Sequence, residues 1–162
     1  MKLNNPFIQS IGLLVMLAEL PAGVALKSSE VSQQMNVSHS YLLKVAKKLK
    51  DAGLIDSNAS KKGGYTLKKP IDEISFLTVF EAVEGTEPFT AGVDLSPIHT
   101  MFISDQLVKA KSQLVNEILS EAEQRYRQAL ADHKISEIVP RDKAGQVLQL
   151  DWKSIIEKNR SS

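Results

Sequence analysis

Cysteine is absent from the 162 residues of this chain. The absence excludes disulfides, a cysteine nucleophile, thiolate zinc sites and an iron–sulfur cluster held by cysteines. The remaining composition, with 43% hydrophobic and 24% charged residues, is ordinary for a globular protein. A chain of this length can bury roughly 68–70% of its unfolded surface, so we expect a real core.

Long hydrophobic runs are missing as well. The most apolar stretch, residues 6–20, is shorter than the roughly 20 residues that a bilayer span needs. Only Lys2 precedes it and no small-residue cleavage pattern follows it, so we do not expect a signal peptide. We interpret the stretch as a buried helix of a cytoplasmic protein that has no membrane partner.

Positive charge is concentrated in the first part of the chain. Residues 1–70 contain 10 lysines, no arginine and 4 acidic residues, which gives +6. Residues 71–162 contain 10 Lys or Arg and 15 acidic residues, which gives −5. We therefore expect a basic module that binds a polyanion, followed by an acidic module with another role.

The spacing of apolar residues predicts helices, then a hairpin, then further helices. Helix starts are indicated by Asn5-Pro6, by Ser28 or Ser29, by Ser38 and by Ser75. Between the third and fourth of these helices, residues 54–57 and 65–67 are typical of two strands around a polar turn. The predicted fold class is mainly α with a small β-hairpin.

Two short helices joined by a tight turn, at residues 28–52, are typical of a helix-turn-helix, and the hairpin behind them makes it winged. The second helix of this motif enters the major groove, and lysines nearby neutralise phosphates and release counterions. Double-stranded DNA is therefore the expected partner. The candidate contacts are Ser28, Ser38, His39, Ser40, Tyr41, Lys44, Lys47, Lys48, Lys61, Lys62, Gly63, Gly64 and Tyr65.

Some of these residues have a competing structural role. Tyr41 can pack against the preceding helix, and the ring of Tyr65 is expected to pack against the domain with its hydroxyl near the DNA backbone. The lysines of the third helix could also form an ordinary solvated face. The order of helix-turn-helix and wing favours DNA contact over that alternative.

Several segments resemble the Rrf family of bacterial winged-helix transcription regulators, typified by IscR, NsrR and CymR. The resemblance is carried by SHSYLL at 38–43, LKDAGLI at 49–55, KGGYTLKKP at 62–70, ISFL at 74–77 and EAVEG at 81–85. The resemblance is good over residues 1–85. Beyond them only the general character of the long helix is similar, and the resemblance ends near Pro140. The resemblance implies a homodimeric repressor that binds a palindromic operator.

Two features depart from the family pattern. Sensor members hold an iron–sulfur cluster through three cysteines after the fourth helix, and the matching residues 86–103 contain none. Cluster sensing is therefore excluded, and we expect no cofactor. Members often carry Arg-Gly early in the wing, whereas Ala59-Ser60 stand here, so that wing contacts would fall to Lys61 and Lys62.

A long helix is predicted from Ile98 or Met101 to about residue 131. Its apolar residues recur at steps of three and four, close to a coiled-coil seam. We expect residues 1–85 to form a complete winged-helix domain, so the seam needs a partner outside its own chain. The seam residues assigned to homodimerisation are Ile103, Leu107, Leu114 and Ile118.

The predicted organisation has four parts: the winged-helix domain at 1–85, a hinge loop at 86–101, a dimerisation helix region at 102–140 and a tail at 141–162. The tail is polar, and Asp151 is expected to cap a terminal helix within it. We found no internal repeat.

Nothing in the sequence points to an enzyme or a metal site. The three histidines are far apart, and no acid–base or nucleophile set is apparent. An alternative function is a winged-helix protein-interaction module that regulates a partner enzyme through the acidic second half. The sequence leaves the regulatory signal open between a small ligand bound between residues 86–103 and the long helix, a protein partner, and no signal at all.

Overall fold

The computed structural model describes residues 4–162; Lys2 and the start of the predicted first domain lie outside the described residues. The chain forms seven helices and one hairpin within that range. The helices are α1 (Asn5–Ala18), α2 (Ser28–Met35), α3 (His39–Asp51), α4 (Phe76–Glu84), α5 (Ser96–His99), α6 (Asp105–Asp132) and α7 (Trp152–Arg160). The strands β1 (Ile55–Asn58) and β2 (Gly64–Leu67) are antiparallel. The predicted fold class is confirmed.

Helix α1 is the centre of the core, as its apolar residues on nearly all sides predicted. Its first turn contains Pro6, and its buried residues include Phe7, Leu13 and Leu14. Helices α2, α3 and α4 pack around it. No helix among residues 4–162 is long and apolar enough to cross a membrane.

The helix-turn-helix consists of α2 and α3, and its caps differ partly from the prediction. The expectation that Ser28 or Ser29 caps α2 is wrong, because Lys27 holds that position and its backbone N–H donates a 2.7 Å bond to the Glu30 carboxylate. After α2, Asn36 turns the chain with a φ of 52°. The hydroxyl of Ser38 then accepts a bond from the Tyr41 backbone N–H, which confirms it as the cap of α3.

The wing is fixed to the start of α2. The backbone N–H of Tyr65 donates a 2.7 Å bond to the Leu26 carbonyl, and that of Leu26 donates in return at 3.2 Å. Next to this contact Gly64 has a φ of +148°, and a Cβ there would lie 2.4 Å from the Leu26 carbonyl oxygen. Only glycine permits so close an approach of the two backbones.

Helix α6 begins later than predicted. The Ser104 hydroxyl accepts a bond from the backbone N–H of Leu107, which caps the helix and sets its start at Asp105. The expectation that Ile103 lies on the helical seam is therefore wrong, since Ile103 precedes the cap and is fully exposed. The predicted hinge region at 86–101 contains one short turn at Phe89–Gly92 and helix α5.

Arg127 anchors α6 to α4. Its guanidinium pairs with Glu81 of α4 at 3.2 Å and with Glu123 of α6 at 2.8 Å. The same group lies 5.9 Å from the ring centroid of Phe80 and 5.4 Å from that of Phe89. One partly buried cation therefore joins α4, α6 and the segment between them.

The core around α1 is completed by residues beyond 85, contrary to the expectation of a complete domain at 1–85. Ile135 and Val139 are buried in it. The backbone N–H of Ile135 donates to the Ile74 carbonyl at 2.9 Å. Farther along, α7 begins at the predicted Asp151 cap and packs against α2. The sequence could not show this because both contacts are distant along the chain.

Candidate nucleic-acid interface

The orientation of α3 is set by four buried residues on one face, which are Leu42, Val45, Ala46 and Leu49. Positions opposite that stripe face solvent in a helix of 3.6 residues per turn. The exposed side chains of this outer face include His39, Ser40, Leu43, Lys44 and Lys47. The outer face thus carries hydrogen-bonding groups in its first turn and cations along its length.

Lys48 is directed away from that outer face. Its ammonium group donates a 2.6 Å hydrogen bond to the carbonyl of Val83, in the last turn of α4. Tyr41 lies seven residues earlier, therefore on the same side of α3, and is half-buried. Tyr41 and Lys48 were both predicted to contact DNA, but neither lies in the middle of the outer face of α3.

Ser28 and His39 bring the starts of α2 and α3 together. Ser28 Oγ lies 2.8 Å from Nε2 of His39. The two helix starts and the wing enclose an open cleft of about 570 Å³. Of the predicted contacts, the cleft is lined by Ser28, His39, Lys61, Gly63, Gly64 and Tyr65.

The wing turn presents two exposed cations, Lys61 and Lys62. Gly63 behind them is buried, and a Cβ there would lie 2.0 Å from the Asn58 carbonyl oxygen. The ring of Tyr65 is buried in the core, as expected. Burial raises the pKa of Tyr65, so its hydroxyl stays protonated at neutral pH.

Several residues of this surface were not among the predicted contacts. Lys27 and Ser29 line the cleft, while Leu43, Lys50 and Ser57 line a smaller groove of about 190 Å³ between α3 and the wing. The spacing of Leu43, Lys47 and Lys50 by three and four residues was the available signal. Ser57 had none, because only the hairpin register places it beside α3.

Lys27 and Lys61 line the cleft, and Lys47 and Lys50 line the groove. Lys44 on α3 and Lys62 in the wing turn are exposed nearby in the chain. Lys47 pairs with Asp51 at 2.6 Å, but both side chains are exposed. An exposed pair of this kind contributes little stability and can exchange its carboxylate for a phosphate. The arrangement suits a polyanion approached by a helix and a hairpin together.

Three of the four predicted dimerisation residues lie on an exposed side of α6. Leu107, Leu114 and Ile118 are 43%, 46% and 57% exposed. Val115 and Leu119, each one residue farther along and about 100° around the helix, are half-buried. The helix therefore has one apolar side packed within the chain and a second apolar side exposed to solvent.

Comparison with known families matches residues 3–141 to the sequence profile of Rrf2, described as an iron-dependent transcriptional regulator. The chain belongs to the Rrf2 family. Rrf2 proteins are DNA-binding transcription regulators rather than enzymes. The predictions of a DNA-binding transcription regulator and of a protein that is not an enzyme are therefore confirmed.

Two relatives of this Rrf2 protein are described as HTH-type transcriptional regulators. YwgB of Bacillus subtilis (strain 168) is 31% identical over 157 residues, which cover 94% of either chain. YffB of Lactococcus lactis subsp. lactis (strain IL1403) is 33% identical over 138 residues, which cover 85% of this chain and 86% of YffB.

The fold of this Rrf2 protein matches that of CymR (YrzC) from B. subtilis, described as its global cysteine regulator. The TM-score is 0.59 at 20% identity, and the match covers 85% of this chain and 95% of CymR. At this identity the likeness shows a shared fold.

Iron binding of the kind the Rrf2 description names does not fit these residues. The chain contains no cysteine. Across residues 4–162, no group of three or more His, Asp or Glu residues is arranged to hold a metal ion. A cluster held by cysteines is therefore excluded for this Rrf2 member.

Proposed function

We propose that this Rrf2 regulator is a homodimeric repressor that binds a palindromic operator. The α3 helix of each copy would enter a major groove, and the wing would lie on the neighbouring phosphates. Bound at a promoter, the dimer would block polymerase. The observation that carries this proposal is the placement of the outer face of α3 and the wing cations on one surface.

The first turn of α3 supports base recognition. His39 and Ser40 offer hydrogen-bonding groups to base edges, and Lys44 can reach a guanine or a phosphate. Leu43 is 42% exposed between these polar residues. An apolar side chain at that place fits the methyl group of thymine.

Homodimerisation is supported by the exposed apolar side of α6. Leu107, Ala110, Leu114 and Ile118 recur at steps of three, four and four along it, which is the spacing of a two-helix seam. A second copy of α6 would cover this stripe. The two α3 helices would then lie about 34 Å apart, one turn of DNA.

The test combines binding and size. Wild-type protein is titrated against genomic fragments in gel-shift assays at rising salt, and its mass is measured by light scattering. We expect specific bands that weaken steeply with salt and the mass of a dimer. Absence of any salt-dependent specific band would contradict DNA binding, and a monomeric mass would contradict the operator geometry.

A matched pair of variants tests the seam itself. Leu114→Glu puts a charge in the middle of the exposed stripe, while Gln113→Glu puts the same charge on an exposed neighbouring position. We expect the first variant alone to dissociate the dimer and to lose operator affinity. Equal behaviour of both variants would contradict the seam.

We place a small-molecule effector in a cavity of about 220 Å³ between the Phe89–Gly92 turn and α6. Its walls are mainly apolar, with Phe89, Val93 and Leu119 among them. An effector acts only if it binds the DNA-competent and incompetent states with different affinity. Screening apolar compounds for a change in operator affinity tests this site, and Leu119→Trp, which fills the cavity, should abolish the response.

A further inference from the structure

The charge of the chain becomes positive again after Pro140. Residues 71–140 contain 5 Lys or Arg and 12 acidic residues, which gives −7, whereas residues 141–162 contain 5 and 3, which gives +2. The acidic part includes α6, and the basic part includes α7. Basic residues therefore outnumber acidic ones again in the segment that contains α7.

Helix α7 has a fixed place against α2. Ile156 is 3% exposed, and Trp152 packs on the core. Near the end of the helix, the side-chain amide of Asn159 donates a 3.2 Å bond to the Gln34 carbonyl oxygen. The last turn of α7 is thus held beside the last turn of α2.

The side of α2 that contacts α7 differs from the side that contacts α3. Ser28 bonds to His39 of α3, and Gln34 bonds to Asn159 of α7. Six residues along an α-helix correspond to a rotation of about 120° between these two directions. In a helix-turn-helix the first helix crosses the DNA backbone while the second lies in the groove. Helix α7 therefore lies on the outer side of the helix that crosses the backbone.

The last turn of α7 carries two exposed cations, Lys158 and Arg160. Within the part of the chain that the structure describes, neither forms a salt bridge. Cations at this end also favour the helix dipole, which explains their presence in the last turn without DNA. Their position next to α2 is what gives them a second role.

We propose that Lys158 and Arg160 bind backbone phosphates of the duplex just outside each half-site, so that α7 extends the DNA-binding surface. This inference rests on the proposed function. Phosphate contacts carry no sequence information, so these residues set affinity and salt dependence but not base preference. They lie beyond residue 141, where the match to the family profile ends.

The test compares Lys158→Ala/Arg160→Ala with Lys109→Ala/Lys111→Ala, which removes two exposed cations from α6. Affinity for one operator fragment is measured between about 50 and 200 mM salt. Each phosphate-binding cation that is removed makes the plot of log binding constant against log salt concentration shallower by about 0.9. The ratio of wild-type to variant affinity therefore falls about 3-fold per cation over this range. The α7 variant removes four such cations from the dimer, so we expect its slope alone to be shallower by about 3.6, with unchanged preference between operator and mutated fragments.

The outcomes separate the two proposals. If wild-type affinity falls steeply with salt and the α7 variant has the same salt slope, the role of α7 is overturned and the proposed function stays in place. An equal change in both double variants also overturns it, because bulk charge then explains the effect. If wild-type protein shows no salt-dependent binding, the proposed function fails and the role of α7 fails with it. Equal melting temperatures verify that α7 stays packed, and Lys158→Gln/Arg160→Gln replaces the alanine variant if they differ.

Discussion

The ammonium group of Lys48 donates a 2.6 Å hydrogen bond to the carbonyl of Val83, although the two residues are 35 positions apart. Lys44, one turn earlier on α3, faces solvent. Two lysines of one helix thus have different roles. One joins α3 to α4, and the other is free to meet DNA.

This difference predicts opposite effects of two alanine substitutions. Lys44→Ala removes one cation from each subunit of the dimer, so it should weaken operator binding and make the salt slope shallower by about 1.8, with little change in stability. Lys48→Ala should leave the slope unchanged and lower the free energy of unfolding by about 1 kcal/mol, because its hydrogen bond to Val83 is removed. Anisotropy titrations at several salt concentrations and urea unfolding measure the two quantities. Equal slopes for both variants would contradict the placement of α3.

The wing predicts an effect that is independent of sequence. Lys61→Ala/Lys62→Ala should weaken binding to operator and random DNA by the same factor. The dimer loses four wing cations, so the salt slope should be shallower by about 3.6 if all of them contact phosphates. The measurement is affinity for both DNAs across a salt series. A loss confined to the operator would show that the wing reads bases instead.

The close approach of the wing to Leu26 predicts a strong requirement for glycine at position 64. Gly64→Ala should cost about 2 kcal/mol of stability or more, because its Cβ would lie 2.4 Å from the Leu26 carbonyl oxygen. Gly92→Ala is the control, since a Cβ there meets no atom within 4 Å. Thermal unfolding of both variants decides the point. Similar melting temperatures would contradict the fixed wing.

Buried Glu19 predicts a pH dependence of stability. The residue is only 3% exposed, and burial raises the pKa of its carboxyl above the ordinary 4.5, an effect that a hydrogen bond from Trp152 only partly offsets. The folded state therefore favours the protonated carboxyl, and stability is lost as pH rises through the folded-state pKa. Glu19→Gln should be more stable than wild type at about pH 7, and the difference should shrink toward about pH 4. Urea unfolding at both pH values checks this, and a constant difference would contradict it.

Local chemistry made much of the fold predictable. Ser38, Ser75 and Asp151 each accept a backbone N–H at a helix start, as their positions in the sequence indicated. The buried stripe of α3 followed from helical periodicity, and that stripe sets which side chains face outward. The helix-turn-helix and its wing could therefore be recognised from the residues alone.

Pairings between distant residues could not be predicted in this way. Periodicity does not show that Lys48 reaches Val83, or that Ile135 completes the core around α1. Nor does it show that the polar tail places Asn159 against Gln34. These pairings depend on how the elements pack, and a single sequence carries no direct signal for them.

The most direct test of the central claim is methylation protection of guanines in a DNA fragment selected by the protein from a random duplex library. The account predicts two protected major-groove patches about one helical turn apart in the wild-type complex, with protection reduced in the Lys44→Ala complex. A single patch, or protection that is the same in both proteins, would contradict the claim that paired α3 helices read the operator.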